Sequence, residues 1–323
     1  MDGSISSNGA KSRGRALFLG NLGARQVAER LDHAFALLRD SGVELLPKRI
    51  RKPRDIGTII RDYHKSVDFV VIGGGDGTLN AAADALVETG LPLGVLPLGT
   101  ANDLAHTLGV PADLEQACGV IQDGYTRQID VGCVNGKHYF NVAGMGMSVE
   151  ITKRLTHEVK KRWGVMAYLL TASSVLRNLR PFSAEIRCGD EVHRVKTVQI
   201  TIGNGRYYGG ALAVAEDAAI DDQRLDLYSL EVDHWWQMIP LMLALRSGKL
   251  KGRPLVRTLH GQEFHIATRR RRAVNADGEI IAYTPASFRV VPKAVRVFTP
   301  RGPNPTAGLS ENMSETRVPL ATS

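Results

Sequence analysis

Asp277-Gly278-Glu279 sets two carboxylates one residue apart, between segments that read as β-strands. On a tight turn, one such carboxylate can accept a hydroxyl proton while the other orients a metal. Asp-Gly is also the commonest hairpin dipeptide, so a plain turn reads the same way. A third carboxylate, Asp76, lies in Val70-Val71-Ile72-Gly73-Gly74-Gly75-Asp76-Gly77-Thr78-Leu79-Asn80. Here an apolar strand runs into a glycine loop and then a helix. Glycine lets a ligand approach the main chain closely, and free amides at a helix start favour an anion. A carboxylate beside a phosphate repels it unless a metal or a proton intervenes. The loop therefore points to a metal-bound nucleotide. Pro97-Leu98-Gly99-Thr100-Ala101-Asn102-Asp103 repeats the pattern after a second apolar strand, with Thr100 or Asn102 able to cap the next helix. The acidic turn Ala219-Ile220-Asp221-Asp222-Gln223-Arg224 would suit Mg²⁺, which takes few protein ligands, or would simply be solvated.

The elements that must carry these residues fall into two halves. Short apolar runs at 16–19, 43–46, 68–72 and 92–96 alternate with helical patterns at 26–39, 56–64 and 79–86. This alternation predicts an open, mostly parallel α/β sheet, whose ligands sit beyond the carboxyl ends of its strands. After Ile129-Asp130-Val131-Gly132 the pattern becomes alternating and β-branched, with an Asn135-Gly136 hairpin turn. Two helical stretches interrupt it, 148–179 and Trp235–Leu245. The expected organisation is a disordered leader over 1–13, a nucleotide-binding α/β domain over 14–130, a β-rich domain over 131–298 and a flexible tail over 299–323.

Composition narrows the function. Hydrophobic residues make up 43% of the 323, enough for sizeable cores, yet no apolar run approaches the roughly 20 residues that span a bilayer. With no signal-peptide core at the N-terminus, the expected location is cytoplasmic. Cys118, Cys133 and Cys188 have no metal-ligand spacing and read as reduced thiols. A net charge of +8, concentrated in Lys48–Arg54 and Arg269–Arg272, suits an anionic partner: nucleic acid, an acidic membrane surface or a phosphorylated substrate. No helix-turn-helix or aromatic-interleaved basic patch supports a nucleic-acid-binding protein.

Taken together, these stretches resemble the diacylglycerol-kinase catalytic family, and within it the bacterial lipid kinases of the YegS type. The matching pieces occur in the family's order: Gly74 to Asn80, Pro97 to Asp103, Ile129 to Gly132, Gly203-Asn204-Gly205-Arg206-Tyr207-Tyr208-Gly209-Gly210, Asp221-Asp222 and Asp277-Gly278-Glu279. The resemblance implies a Rossmann-like parallel α/β domain, a C-terminal antiparallel β-sandwich and an active site in the cleft between them. It implies an ATP-dependent kinase acting on a lipid hydroxyl, of diacylglycerol or a related lipid, with Mg²⁺. Gly74, Gly75, Asp76, Gly77, Thr78, Leu79 and Asn80, with Thr100 and Asn102, are the implied nucleotide contacts. Glu279 is the implied proton acceptor, and Asp76, Asp103 and Asp277 the implied organisers of the catalytic metal; either Asp76 or Glu279 could take the proton. Ala219, Asp222 and Arg224 match a structural Mg²⁺ segment that uses main-chain carbonyls, although Gln223 stands where the family has glycine. The family's first turn and second-strand threonine are replaced here by Gly20-Asn21-Leu22-Gly23-Ala24 and Pro47-Lys48-Arg49.

The implied partners are the lipid at the inner face of the membrane, anionic phospholipid, and a second copy of the chain as a homodimer, but no nucleic acid. Trp163–Leu179 and the Trp235-Trp236 helix are candidates for the acyl side, or for ordinary core. A soluble-substrate kinase such as NAD kinase shares the Gly-Gly-Asp-Gly-Thr loop and is the alternative reading.

Overall fold

A computed structural model describes residues 14–20, 25–50, 52–154, 180–204, 207–208, 212–213, 219–234, 237, 255–276 and 279–302. The first half is the expected α/β unit. Strands β1 (Arg15–Gly20), β2 (Glu44–Arg49), β3 (Phe69–Gly74) and β4 (Leu93–Pro97) run parallel in the order β2-β1-β3-β4. The central strands are buried along almost their whole length, which is why they read as unbroken apolar runs. Helix α1 (Arg25–Asp40) packs with α6 (Leu114–Asp123), and α2 (Ile56–Tyr63) packs with α4 (Ala83–Thr89).

Two helices start at the carboxyl ends of β3 and β4. They are α3 (Asp76–Asn80) and α5 (Asp103–Leu108). The single helix expected over 79–86 is broken: α3 ends at Asn80, and α4 restarts at Ala83. The turn between them keeps its donors paired, Ala81 N to Gly77 O and Ala82 N to Leu79 O.

The second half is antiparallel β. It opens with β5 (Thr126–Val134) and β6 (Lys137–Tyr139), joined by Asn135 and Gly136, both at positive φ as a type I′ turn requires. Then come β7 (Val142–Gly146), α7 (Met147–Arg154), β8 (Phe182–Cys188), β9 (Glu191–Thr197) and β10 (Gln199–Gly203). The short pair β11 (Tyr207–Tyr208) and β12 (Leu212–Ala213) follows, then β13 (Leu225–Leu230) and β14 (Val256–Gly261). The chain closes with β15 (Glu263–Thr268), β16 (Ala273–Ala276), β17 (Glu279–Tyr283) and the long β18 (Ala286–Phe298). Helix α7 covers the start of the helical stretch expected from 148; residues 155–179 lie outside the described residues, as does the Trp235–Leu245 helix apart from Gln237.

One sheet has the order β14-β13-β10-β7-β16-β17. The other continues the parallel sheet through β4-β18-β15-β8-β9. Strand β18 therefore belongs to both halves. Its first residues pair with β15, while Val297 pairs in parallel with Leu93 of β4, and Val295, Val297 and Phe298 pack into the α/β core. A second core lies between the two sheets, where Phe264, Ile266 and Phe288 face Met145, Ile200, Ile202 and Leu227. The three cysteines are unpaired, and no helix of the described residues is long and apolar enough to cross a membrane.

Candidate active site

The two glycine loops at the ends of β3 and β4 touch through their backbones. A Cβ on Gly99 would lie 2.5 Å from Gly75 Cα, and one on Gly74 would lie 2.7 Å from Thr78 Cβ. Gly75 has an extended backbone, so its lack of a side chain serves close approach and not an unusual φ. The loops are also tied by a hydrogen bond: Leu104 N, in the first turn of α5, donates to Asp76 Oδ1 at 3.1 Å. Asp76 thus caps the helix that Thr100 or Asn102 was expected to cap. Asn102 does occupy the N-cap position, but at φ 52 its side chain turns back on the loop. Gly99 N donates to its Oδ1 at 2.9 Å, and its Nδ2 donates to Gly99 O at 3.0 Å. Thr100 stands exposed at the loop's tip, while Asp103 is buried. Asn80 is buried with Oδ1 unpartnered, an acceptor left open beside the glycine loop.

The other motif residues gather at one end of the six-stranded sheet, as its register shows. Gly203 at the end of β10 lies opposite Asp226 of β13 on one side and Val142 of β7 on the other. Ala276 of β16 lies opposite Ala143 of β7 and Glu279 of β17. The 219–224 turn, the 203–210 loop and the 277–279 turn therefore project from the same end. Three strand spacings separate β10 from β17, roughly 14 Å. Glu279 is exposed at the start of β17, whereas Asp277 and Gly278 lie outside the described residues. Strand β11, within the 203–210 loop, packs beside α5, so this end of the sheet meets the helix that Asp76 caps. Among the described residues no hydrogen bond or ion pair links Glu279 directly to the glycine loops.

Asp130, from the Ile-Asp-Val-Gly stretch, binds this corner together. Its carboxylate is buried and accepts Gln223 N at Oδ2 (2.6 Å) and Lys293 N at Oδ1 (2.7 Å). Both donors are non-glycine residues in the left-handed region, with φ 58 and φ 50. The strain of Gln223, where a glycine would be at ease, is thus held by a charge-assisted bond. Asp130 O in turn accepts from Asn204 Nδ2, which also reaches Phe140 O. The sequence offers the Gly203–Gly210 loop as a substrate mouth or a simple link between strands, and the Ile-Asp-Val-Gly stretch as the point where the pattern changes; their hydrogen bonds span 64 to 163 residues and leave no local pattern.

A second tie was also missed. Asp84 on α4 accepts from Lys137 Nζ at 3.0 Å and His138 N at 2.9 Å, with His138 Nδ1 at 2.9 Å. Burial pushes this carboxyl up, but the His138 and Lys137 hydrogen bonds outweigh it and hold the group well below the usual carboxylate range.

In the 219–224 turn, Asp222 accepts from Ala219 N at 3.2 Å and Arg224 N at 3.0 Å. Burial raises its carboxyl to about 6, against these two amides and the Arg224 charge. The Arg224 guanidinium lies 3.8 Å from Asp222 Oδ2 and 3.2 Å from Asp226 Oδ1. An oxygen-only site with an incompletely offset carboxylate fits a hard cation, and Arg224 supplies a competing charge. No cluster of three or more His, Cys, Asp or Glu occurs among the described residues. Asp76, half-buried with one oxygen on Leu104 N, can offer its other oxygen to Mg²⁺, which on a nucleotide takes only one or two protein carboxylates.

Comparison with known proteins finds relatives of both halves. The diacylglycerol kinase catalytic domain family matches residues 15–134, and the YegS C-terminal NAD kinase beta sandwich-like domain matches 141–299. A Klebsiella pneumoniae (strain 342) protein named "Probable lipid kinase YegS-like" is 32% identical over 292 residues, covering 88% of this chain and 95% of its own. The Bacillus subtilis (strain 168) diacylglycerol kinase is 28% identical, covering 73% of this chain and 79% of its own. An uncharacterized Synechocystis protein is 31% identical over 237 residues, and the match spans 55% of its length. The crystal structure of a diacylglycerol kinase from Bacillus anthracis str. Sterne has the same fold, with TM-score 0.74 at 24% identity over 90% of this chain and 99% of that one. The chain belongs to the family of YegS-like lipid kinases and diacylglycerol kinases, phosphotransferases whose acceptor is an alcohol.

Proposed function

We propose that this chain transfers the γ-phosphate of ATP to the hydroxyl of a diacylglycerol-like lipid at the inner face of the membrane, as a step in phospholipid biosynthesis. The observation that carries this reading is the gathering of Glu279, the 203–210 loop and the 219–224 turn at the sheet end that meets α5 and its cap, Asp76. The active site lies in the cleft between the two halves.

Each residue has a defined part. The amides of Asp76 and Gly77, which a helix start leaves without intrahelical acceptors, face the nucleotide phosphates. Gly74 and Gly75 keep side chains out of that path, and Thr78, Leu79 and Asn80 complete the cradle with Thr100 opposite. Asn102 shapes the second loop through Gly99. Arg49, exposed and in register with Gly20, places a positive charge at the same carboxyl edge. Bound Mg²⁺ would neutralise charge on the transferring phosphoryl group, held chiefly by the nucleotide with Asp76 and support from Asp103 and Asp277. The main-chain carbonyls of Ala219 and Arg224, with the Asp222 carboxylate, would hold a second Mg²⁺ that stiffens the corner. Glu279, at the solvent-facing end of β17, accepts the proton from the attacking lipid hydroxyl. Catalysis is then mainly positioning and electrostatics.

The test is ATP consumption with diacylglycerol, a sphingoid base, phosphatidylglycerol and NAD, followed by mass analysis for a new phosphate. A phosphorylated lipid is expected. Phosphorylation of NAD alone would replace this reading with the soluble-substrate one.

A further inference from the structure

The position of Glu279 raises the question of how a bilayer reaches it. Glu279 opens β17, the outermost strand of the six-stranded sheet, which pairs only with β16 among the described residues. Ile280 and Tyr283 of this strand are 41% and 44% exposed, two of the four large hydrophobic side chains exposed among the described residues. A bulge at Ile281 sets Ile280 opposite Asn275 and Tyr283 opposite Ala273, so the two side chains project from the same face of the strand. Arg269, Arg270 and Arg271 stand exposed in the turn leading into β16. Among the described residues none of the three has a carboxylate within salt-bridge distance, and the Arg271 guanidinium lies over the Tyr283 ring at 4.3 Å. The turn adjoins the Tyr283 end of β17, since Thr284 N donates to Arg272 O at 2.9 Å.

We propose that the β17 edge and the 269–271 turn form the surface that docks the protein on an anionic phospholipid bilayer. Ile280 and Tyr283 enter the headgroup region, and the three arginines pair with lipid phosphates. The charge complementarity selects an anionic bilayer over a neutral one: three guanidinium groups without a carboxylate partner among the described residues adjoin the apolar pair at Tyr283. The geometry also gives the docking a purpose. Residue 279 immediately precedes Ile280, so a bilayer seated on this edge brings lipid hydroxyls to the proposed proton acceptor without extracting the lipid. This deepens, and rests on, the lipid-kinase reading above.

The test is sedimentation of the full-length protein, without ATP, with vesicles of phosphatidylcholine alone or mixed with phosphatidylglycerol. The wild type is expected to bind only the mixed vesicles, with affinity falling as salt rises. Arg269→Ala/Arg270→Ala/Arg271→Ala should weaken binding about a hundredfold, and Ile280→Ser/Tyr283→Ser about tenfold. The triple Arg→Lys variant should bind nearly as the wild type, and all variants should share its thermal unfolding. Absence of vesicle binding by the wild type, unchanged binding by the alanine triple variant, or preference of the arginines for an oligonucleotide over vesicles would each overturn the proposal. Transfer of phosphate to a soluble short-chain diacylglycerol is measured in parallel. Its absence in the wild type would refute the kinase reading alone, because vesicle binding is read without turnover.

Discussion

Asp76 has two roles that two substitutions can separate. Its Oδ1 accepts Leu104 N at 3.1 Å and so caps α5, and its charge faces the site where nucleotide phosphates are proposed to sit. Asp76→Asn keeps an oxygen for the cap and removes the charge. Asp76→Ala removes both. Losing a side-chain cap costs about 1 kcal/mol. The charge at the start of α5 contributes about 0.5 kcal/mol more, given that the residue is half-exposed. Urea denaturation should therefore show Asp76→Asn within about 0.5 kcal/mol of wild type and Asp76→Ala down by about 1.5 kcal/mol. Turnover should fall at least about a hundredfold in both, because the lost charge acts far more on the reaction than on the fold. Equal stability loss in the two variants would refute the cap. Near wild-type turnover in Asp76→Asn would refute the electrostatic role.

Three further predictions concern the scaffold. Asp130→Asn leaves only one oxygen for the two amides of Gln223 and Lys293, stranding a buried donor. It should destabilise by about 3 kcal/mol in denaturant titration, and a loss under about 0.5 kcal/mol would contradict the hub role. Gln223→Gly relieves a left-handed residue and should stabilise by about 0.5 to 1 kcal/mol, read as a raised denaturation midpoint; destabilisation would mean that the Gln223 side chain contributes more than the strain costs. Asp84 has a folded-state pKa below its unfolded value, so its contribution is fully present above the ordinary carboxylate range and is lost as pH falls through the lowered value. Wild type should exceed Asp84→Asn in stability at neutral pH, and the gap should close under acid; a constant gap from neutral pH into acid would contradict the assignment.

The local signals were legible. The apolar runs of β3 and β4, the Asn135-Gly136 turn and the shift to alternation after residue 130 all follow from patterns within about ten residues. Non-local partners were not legible. Asn102 has the right residue type and position for a cap, yet Leu104 N is capped by Asp76, 28 residues before it, because Gly99 already engages the Asn102 amide. The glycines of both loops suggested ligand approach, and part of their need is the packing of one loop on the other. The return of β18 to the parallel sheet has no periodicity of its own; its alternation reads the same whichever sheet it joins. Gln223 looked like a departure that weakened the acidic turn, but Asp130 holds it in the conformation a glycine would take.

The central claim is that this chain moves phosphate from ATP to a lipid hydroxyl with Glu279 as proton acceptor. Incubating the protein with γ-labelled ATP and diacylglycerol in anionic vesicles, then counting label in the extracted lipid, tests it most directly. The wild type should label the lipid, and Glu279→Gln, folded as judged by its thermal unfolding, should label it at least about a hundredfold more slowly. Equal labelling by the two proteins would contradict the assignment of Glu279, and no labelled lipid from the wild type would contradict the function.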